Sequence, residues 1–212
     1  MTTNLFDELD ADDGALARLH ERLERAADSA DILDVGYRTI DTPVGTLLLA
    51  ATTAGLVRVA YDVEGHDAVL AGLADRISPR VLRAPGRLDG VARQIDEYFA
   101  KRRKVFEVTV DLRLAEGFRR NVIEHLREIG YGHRESYAAV AAAIGSPRAV
   151  RAVGTACAHN PLPVVIPCHR VVRSDGSTGQ YVGGPQAKST LLDLEGGLKR
   201  EFIRGRGRRT WT

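Results

Sequence analysis

Between residues 35 and 61 the chain carries three short β-rich runs, 35–40, 46–52 and 56–61, separated by turn residues at Asp41 to Gly45 and at Ala54-Gly55. Runs this short, joined by connections this tight, can satisfy their backbone groups only by pairing with their neighbours. The reading is therefore an antiparallel meander. Helical stretches are predicted at 66–77 and near 88–101, and residues 105–112 alternate as a fourth strand would. Upstream, in an acidic stretch of 34 residues, Leu16, Leu19 and Leu23 stand at i, i+3 and i+7 among Ala, Glu and Arg, which predicts a short amphipathic helix.

The second half has another period. A helix is expected after Glu116-Gly117 through Arg127, and an Ala-rich one at 137–144 with Ser136 as its N-cap and Gly145 as its stop. Ser146-Pro147 then reads as cap and first residue of a further helix over 148–158. Two short helices about a Gly turn have the layout of a DNA-binding helix-turn-helix, and of ordinary helical hairpins too. The second helix carries Arg148 and Arg151 beside Ala149, Ala152 and Ala156, small residues that let a backbone sit deep in a groove. An apolar segment at 162–166, a Gly-rich stretch at 174–184 and a last helix at 186–194 complete it. The expected organisation is an acidic extension at 1–34, an α/β domain at 35–112 with a small antiparallel sheet, a mainly helical domain at 113–198 and a basic tail at 199–212.

Charge divides at the same place. Residues 130–212 hold 12 Lys/Arg against 5 Asp/Glu, whereas residues 1–129 hold 18 against 23. A polyanion is therefore expected on the C-terminal part. No apolar run approaches the ~20 residues that span a bilayer, and the N-terminus is not a basic stretch leading into an apolar one, so no membrane partner is expected. Two cysteines, Cys157 and Cys168, are too few for an extracellular disulfide framework. Reduced thiols and a cytoplasmic location are the expectation.

The chemistry concentrates in Pro167-Cys168-His169-Arg170-Val171-Val172. A thiol of ordinary pKa near 8.5 needs help to ionise, and His169, oriented by Glu195 of the last helix, is the obvious base. Three other readings stay open on the residues alone: an inert core thiol, a zinc site made from Cys157, His159, Cys168 and His169, and a cysteine hydrolase.

The blocks around that segment carry a resemblance. Asn160-Pro161, Pro167-Cys168-His169-Arg170-Val171, Gly176, the stretch from Gly179 to Gly184, Lys188 and the stretch from Leu191 to Gly196, preceded by Ser136-Tyr137 and Arg151-Ala152-Val153-Gly154, resemble the O6-alkylguanine-DNA alkyltransferase family. They keep its order and spacing over about 60 residues. The resemblance implies a ribonuclease-H-like N-terminal domain, a winged helix-turn-helix-like C-terminal domain, and direct reversal of DNA damage. The alkyl group of O6-alkylguanine, and of O4-alkylthymine, would pass once and irreversibly to Cys168. The class-distinct alternative is a regulatory or lesion-sensing DNA-binding module that does not repair.

By the same resemblance, His169, Glu195 and a water deprotonate Cys168, and Asn160 is the hinge joining the recognition helix to the active-site strand. Arg151 fills the space left by the flipped base. Tyr137 crowds the rotating phosphate and donates to guanine N3. Ser136, Arg148, Ala152 and Gly154 belong to the DNA surface, and Tyr181, Val182, Val171 and Gly183 to the substrate pocket, where the Val182 amide donates to O6. No cofactor and no metal are implied. The implied partner is double-stranded DNA entered from the minor groove, bound by a monomer of which several copies can line up along the duplex. Phe118-Arg119-Arg120-Asn121-Val122-Ile123 stands where the family often has Phe-Gln-x-x-Val-Trp.

Overall fold

The three predicted runs do form a meander in the computed structural model, which describes residues 13–196. β1 (Val35–Thr42), β2 (Gly45–Thr52) and β3 (Gly55–Tyr61) pair antiparallel in sequence order. Gly55 is required at its turn. Its φ is +138°, and a Cβ there would meet the Thr109 carbonyl oxygen at 2.5 Å. The sheet is not purely antiparallel, however. α2 (His66–Arg76) carries the chain across one face and returns it as β4 (Val81–Arg83), which pairs parallel to β1, so the order is β3-β2-β1-β4. A crossover helix brings the chain back in the original direction, as a tight turn does not.

β2 is central and buried on both faces. Leu48 and Ala50 pack with Leu73 of α2, while Leu47, Leu49 and Ala51 look the other way into a larger core. That larger core also takes Ile95 and Tyr98 of α3 (Asp89–Phe99), and Val122, Val153, Cys168 and Leu191 from the second half of the chain. One apolar interior therefore runs through both halves.

The strand expected at 105–112 is not one. The segment is extended, but only Val110 bridges to a strand residue, Leu56. The Gln94 side chain of α3 supplies the missing partner: its amide donates to the Glu107 carbonyl and its carbonyl accepts from the Glu107 N–H. The backbone groups of Glu107 are thereby satisfied without a ladder.

α1 (Asp13–Ser29) forms as expected, but its leucines do not bury. Leu16, Leu19 and Leu23 are each more than half exposed, and contact with the domain is made by Ala27 beside Leu33 and Ala84, and by His20 on the Arg83 carbonyl. Apolar spacing set the helix but not the face that docks. The basic tail expected at 199–212 and residues 1–12 lie outside the described residues.

The C-terminal half contains α4 (Gly117–Leu126), α5 (Tyr137–Ala143), α6 (Val150–Ala158) and α7 (Gly184–Leu194), with a two-residue parallel pairing of β5 (Glu135–Ser136) and β6 (Val171–Val172). Ser136 caps α5, its hydroxyl accepting from the Ala139 N–H at 3.0 Å. α6 begins later than predicted. Ser146-Pro147 lies in a turn closed by the Ala149 N–H on the Ser146 carbonyl, and Val150 is the first helical residue, so Arg148 sits exposed in the turn. Among the described residues no helix is long and apolar enough to cross a membrane.

Candidate active site

Cys168 opens a 3₁₀ turn, Cys168–Arg170, rather than a strand. Ahead of it the chain folds tightly, with the Ile166 N–H on the Leu162 carbonyl at 2.7 Å. Val164 at φ +71° is the cost, since a β-branched residue rarely adopts a left-handed backbone. Asn160, just past the end of α6, pins this loop. Its amide nitrogen donates to the Ile166 carbonyl at 2.8 Å and to Cys168 Sγ at 3.1 Å, and its carbonyl accepts from the Leu162 N–H at 3.0 Å.

Behind the sulfur, His169 is fully buried with Nε2 donating to Glu195 Oε1 at 3.0 Å. The Glu195 carboxylate accepts further bonds from Arg170 on both oxygens, 2.9 and 2.8 Å, from the Tyr98 hydroxyl at 2.8 Å and from the Gly132 N–H at 3.3 Å. Burial pushes that carboxyl upward, but the bonds from His169 and Arg170 outweigh it and hold Glu195 well below the usual carboxylate range. A carboxylate committed to this many donors fixes the imidazole rather than taking its proton. Nε2 then carries the hydrogen, leaving Nδ1, which is buried with no partner among the described residues, as the basic nitrogen.

The neighbouring imidazole does not make the sulfur a standing thiolate. Cys168 is 2% exposed, and burial pushes its thiol up to about 11 despite the Asn160 bond and the charge of Lys188. Burial also lowers His169, keeping the ring neutral. A thiol pushed that far up is held in its protonated form at neutral pH. The surroundings are nonetheless polar. Fully buried Lys188 donates to the Val171 carbonyl at 2.6 Å, lies 5.8 Å from the centre of the Tyr137 ring, and is lowered to about 8 by burial.

The expected pocket residues gather here, with one exception. Tyr181 stacks edge-on against His169 and Tyr61, with 3.1 Å between the two tyrosine hydroxyl oxygens. Val182 and Gly183 are half-buried beside it, and a Cβ on Gly183 would lie 2.6 Å from the Tyr61 ring. Val171 instead is sealed in the core, serving through its carbonyl. Tyr137 is half-buried, and Arg151 and Ala152 are exposed on the outer face of α6 with Gly154 half-buried within it. His159 turns its ring onto the Thr155 carbonyl of its own helix, away from the cysteines. Among the described residues no three His, Cys, Asp or Glu side chains gather as a metal site.

Tyr98 and Tyr61 carried no sequence signal as site residues, because both arrive from the N-terminal half through tertiary packing. Arg170 and Lys188 lay inside the matched blocks, but their burial and partners were invisible there.

A buried thiol held by an amide and backed by a histidine-carboxylate pair sits at the end of two short helices about a Gly turn, the layout of a DNA-binding helix-turn-helix. Sequence comparison agrees. The 6-O-methylguanine DNA methyltransferase ribonuclease-like domain matches residues 35–112, and the DNA-binding domain of the same name matches residues 117–197. The chain belongs to the 6-O-methylguanine DNA methyltransferase family. It is 37% identical over 161 residues to a methylated-DNA–protein-cysteine methyltransferase of Mycolicibacterium paratuberculosis, covering 76% of this chain and 92% of that one. To the constitutive enzyme of that name from Bacillus subtilis it is 34% identical over 160 residues, covering 75% and 94%. The O6-methylguanine methyltransferase of Mycobacterium tuberculosis superposes with a TM-score of 0.67 at 37% identity, covering 76% of this chain and 92% of that one. The same organism's enzyme in complex with DNA superposes at 0.65.

Proposed function

We propose that this chain reverses alkylation damage in DNA by taking the alkyl group of O6-alkylguanine onto Cys168, one group per molecule. The observation that carries the reading is the junction of Asn160, Cys168, His169 and Glu195 directly behind α6, with Arg151 on the outer face of that helix.

In this mechanism α6 enters the minor groove, where Ala152 and Gly154 allow close approach, and the damaged base swings out. Extrusion costs a few kcal/mol, least for a weakened pair, and Arg151 offsets part of it by filling the gap. Tyr181, Val182 and Gly183 wall the base, and the Val182 amide donates to O6. The Cys168 proton passes through a water to His169 Nδ1 as Sγ bonds to the alkyl carbon. The bond from that carbon to O6 breaks, and Tyr137 donates to N3 so that guanine departs neutral. The product is a thioether with no nucleophile placed to release the alkyl group, so the protein is consumed. A monomer suffices for this chemistry, and it is at home in the cytoplasm, where a thiol stays reduced.

The test is intact-mass measurement after excess protein meets duplex containing O6-methylguanine. The Cys168 peptide should carry one methyl group in place of the thiol proton. Cys168→Ser should lose that product and keep duplex affinity. Repeated turnover, or an unmodified Cys168 with the lesion gone, would reject the reading. Duplex binding with neither change would favour a lesion-sensing module.

A further inference from the structure

A cavity of about 250 Å³ lies where the foot of α6 meets the N-terminal domain; its charged lining is Arg58, Glu64, Arg76 and Arg119, with His159 beside them. Those charges do not balance. Glu64 is the only carboxylate lining it and is fully engaged, with one oxygen accepting from Arg58 and the other from the Tyr61 N–H. Arg58 is directed inward, onto the Asn160 and Pro161 carbonyls. Arg76, exposed on α2, and Arg119, half-buried on α4, have no hydrogen bond or ion pair among the described residues. Two guanidinium groups lining one concavity repel each other until an oxyanion joins them, and the fork of N–H donors on each suits a phosphate.

The position of the cavity selects which phosphate. Arg151 and Thr155 are exposed on α6, one turn apart, and His159 is exposed just past its end. The Thr155 hydroxyl donates to the Arg151 carbonyl, and the His159 ring N–H to that of Thr155. About 12 Å of helix separates Arg151 from His159, within the span of a few phosphates along one strand. A duplex lying along these residues meets Arg151 at one end and the cavity at the other.

We infer that Arg76 and Arg119 grip a backbone phosphate of the same duplex whose damaged base reaches Cys168, so that the N-terminal domain shares in DNA binding. This rests on the proposed function. Arg119 stands in Phe118-Arg119-Arg120-Asn121-Val122-Ile123, where the resembling motif often has glutamine.

The experiment is a salt titration of undamaged duplex binding by the wild type, Arg76→Gln, Arg119→Gln and the double variant. The double variant should lower the slope of log K against log salt by about one. Its rate of alkyl uptake from free O6-methylguanine base and its melting temperature should match the wild type. Equal slopes and affinities in wild type and double variant would overturn the inference. A second arm adds inorganic phosphate at constant ionic strength. If phosphate raises the melting temperature of the wild type but not of the double variant, and the duplex slope is unchanged, the site takes a free anion and the duplex assignment is wrong. Failure of the proposed function reads out separately, as a wild type that leaves Cys168 unmodified on damaged duplex.

Discussion

At the scale of single residues, activation depends on where protons rest before the reaction. Burial lowers His169, so its neutral, accepting form persists below the ordinary imidazole value near 6.5. The single-turnover rate on damaged duplex is therefore expected to hold as pH falls from 8 to about 6.5 and to decline only below. A decline already complete at pH 7 would contradict this arrangement. Tyr98 reaches the relay from the other half of the chain, its hydroxyl on the same Glu195 oxygen that holds His169. Tyr98→Phe deletes a buried bond to a charged acceptor, and the expected loss is about 1.5–3 kcal/mol in chemical unfolding. Transfer should slow several-fold, because the imidazole is held less firmly. An unchanged rate in a destabilised variant would make Tyr98 purely structural.

At the scale of elements, two turns decide how the pieces meet. Gly55→Ala puts a Cβ on the Thr109 carbonyl at a φ that alanine avoids, so β3 must part from the extended segment after Val105. Destabilisation of about 2–4 kcal/mol is expected, read as a lower melting temperature. Ser136→Ala should cost about 1 kcal/mol by uncapping α5. Much at this scale was legible in the sequence. The meander, α2, α3 and α5 follow from local period and turn chemistry, which act over a few residues. The misread elements have different causes: a side chain 13 residues away, Gln94, took the backbone groups of Glu107 that a strand would have used, whereas Ser146-Pro147 went to a local turn closed by the Ala149 N–H instead of the first turn of α6.

Over the whole molecule, the two halves are joined by polar bonds as well as by a shared core. Tyr98 meets Glu195, and the Val59 N–H and Arg58 reach the Pro161 carbonyl. Urea unfolding followed by tyrosine fluorescence and by far-ultraviolet dichroism should therefore give coincident transitions. Two separated midpoints would mean that the halves fold independently. Glu195 also sets an acid limit. Its folded carboxyl is depressed, so its contribution is present above the ordinary value near 4.3 and is lost as pH falls below that. Glu195→Gln should flatten the loss of stability below pH 4.3 while lowering stability at neutral pH. By itself the sequence marked the residues on which the proposed chemistry rests and the order of most helices and strands, because motif spacing and periodicity are local properties carried along the chain. Only the tertiary structure decided that the Cys168 thiol rests protonated, that Glu195 is shared with Tyr98, and that Arg76 and Arg119 line one cavity. Burial and charge proximity are set by residues far apart in the chain, and no local pattern records them.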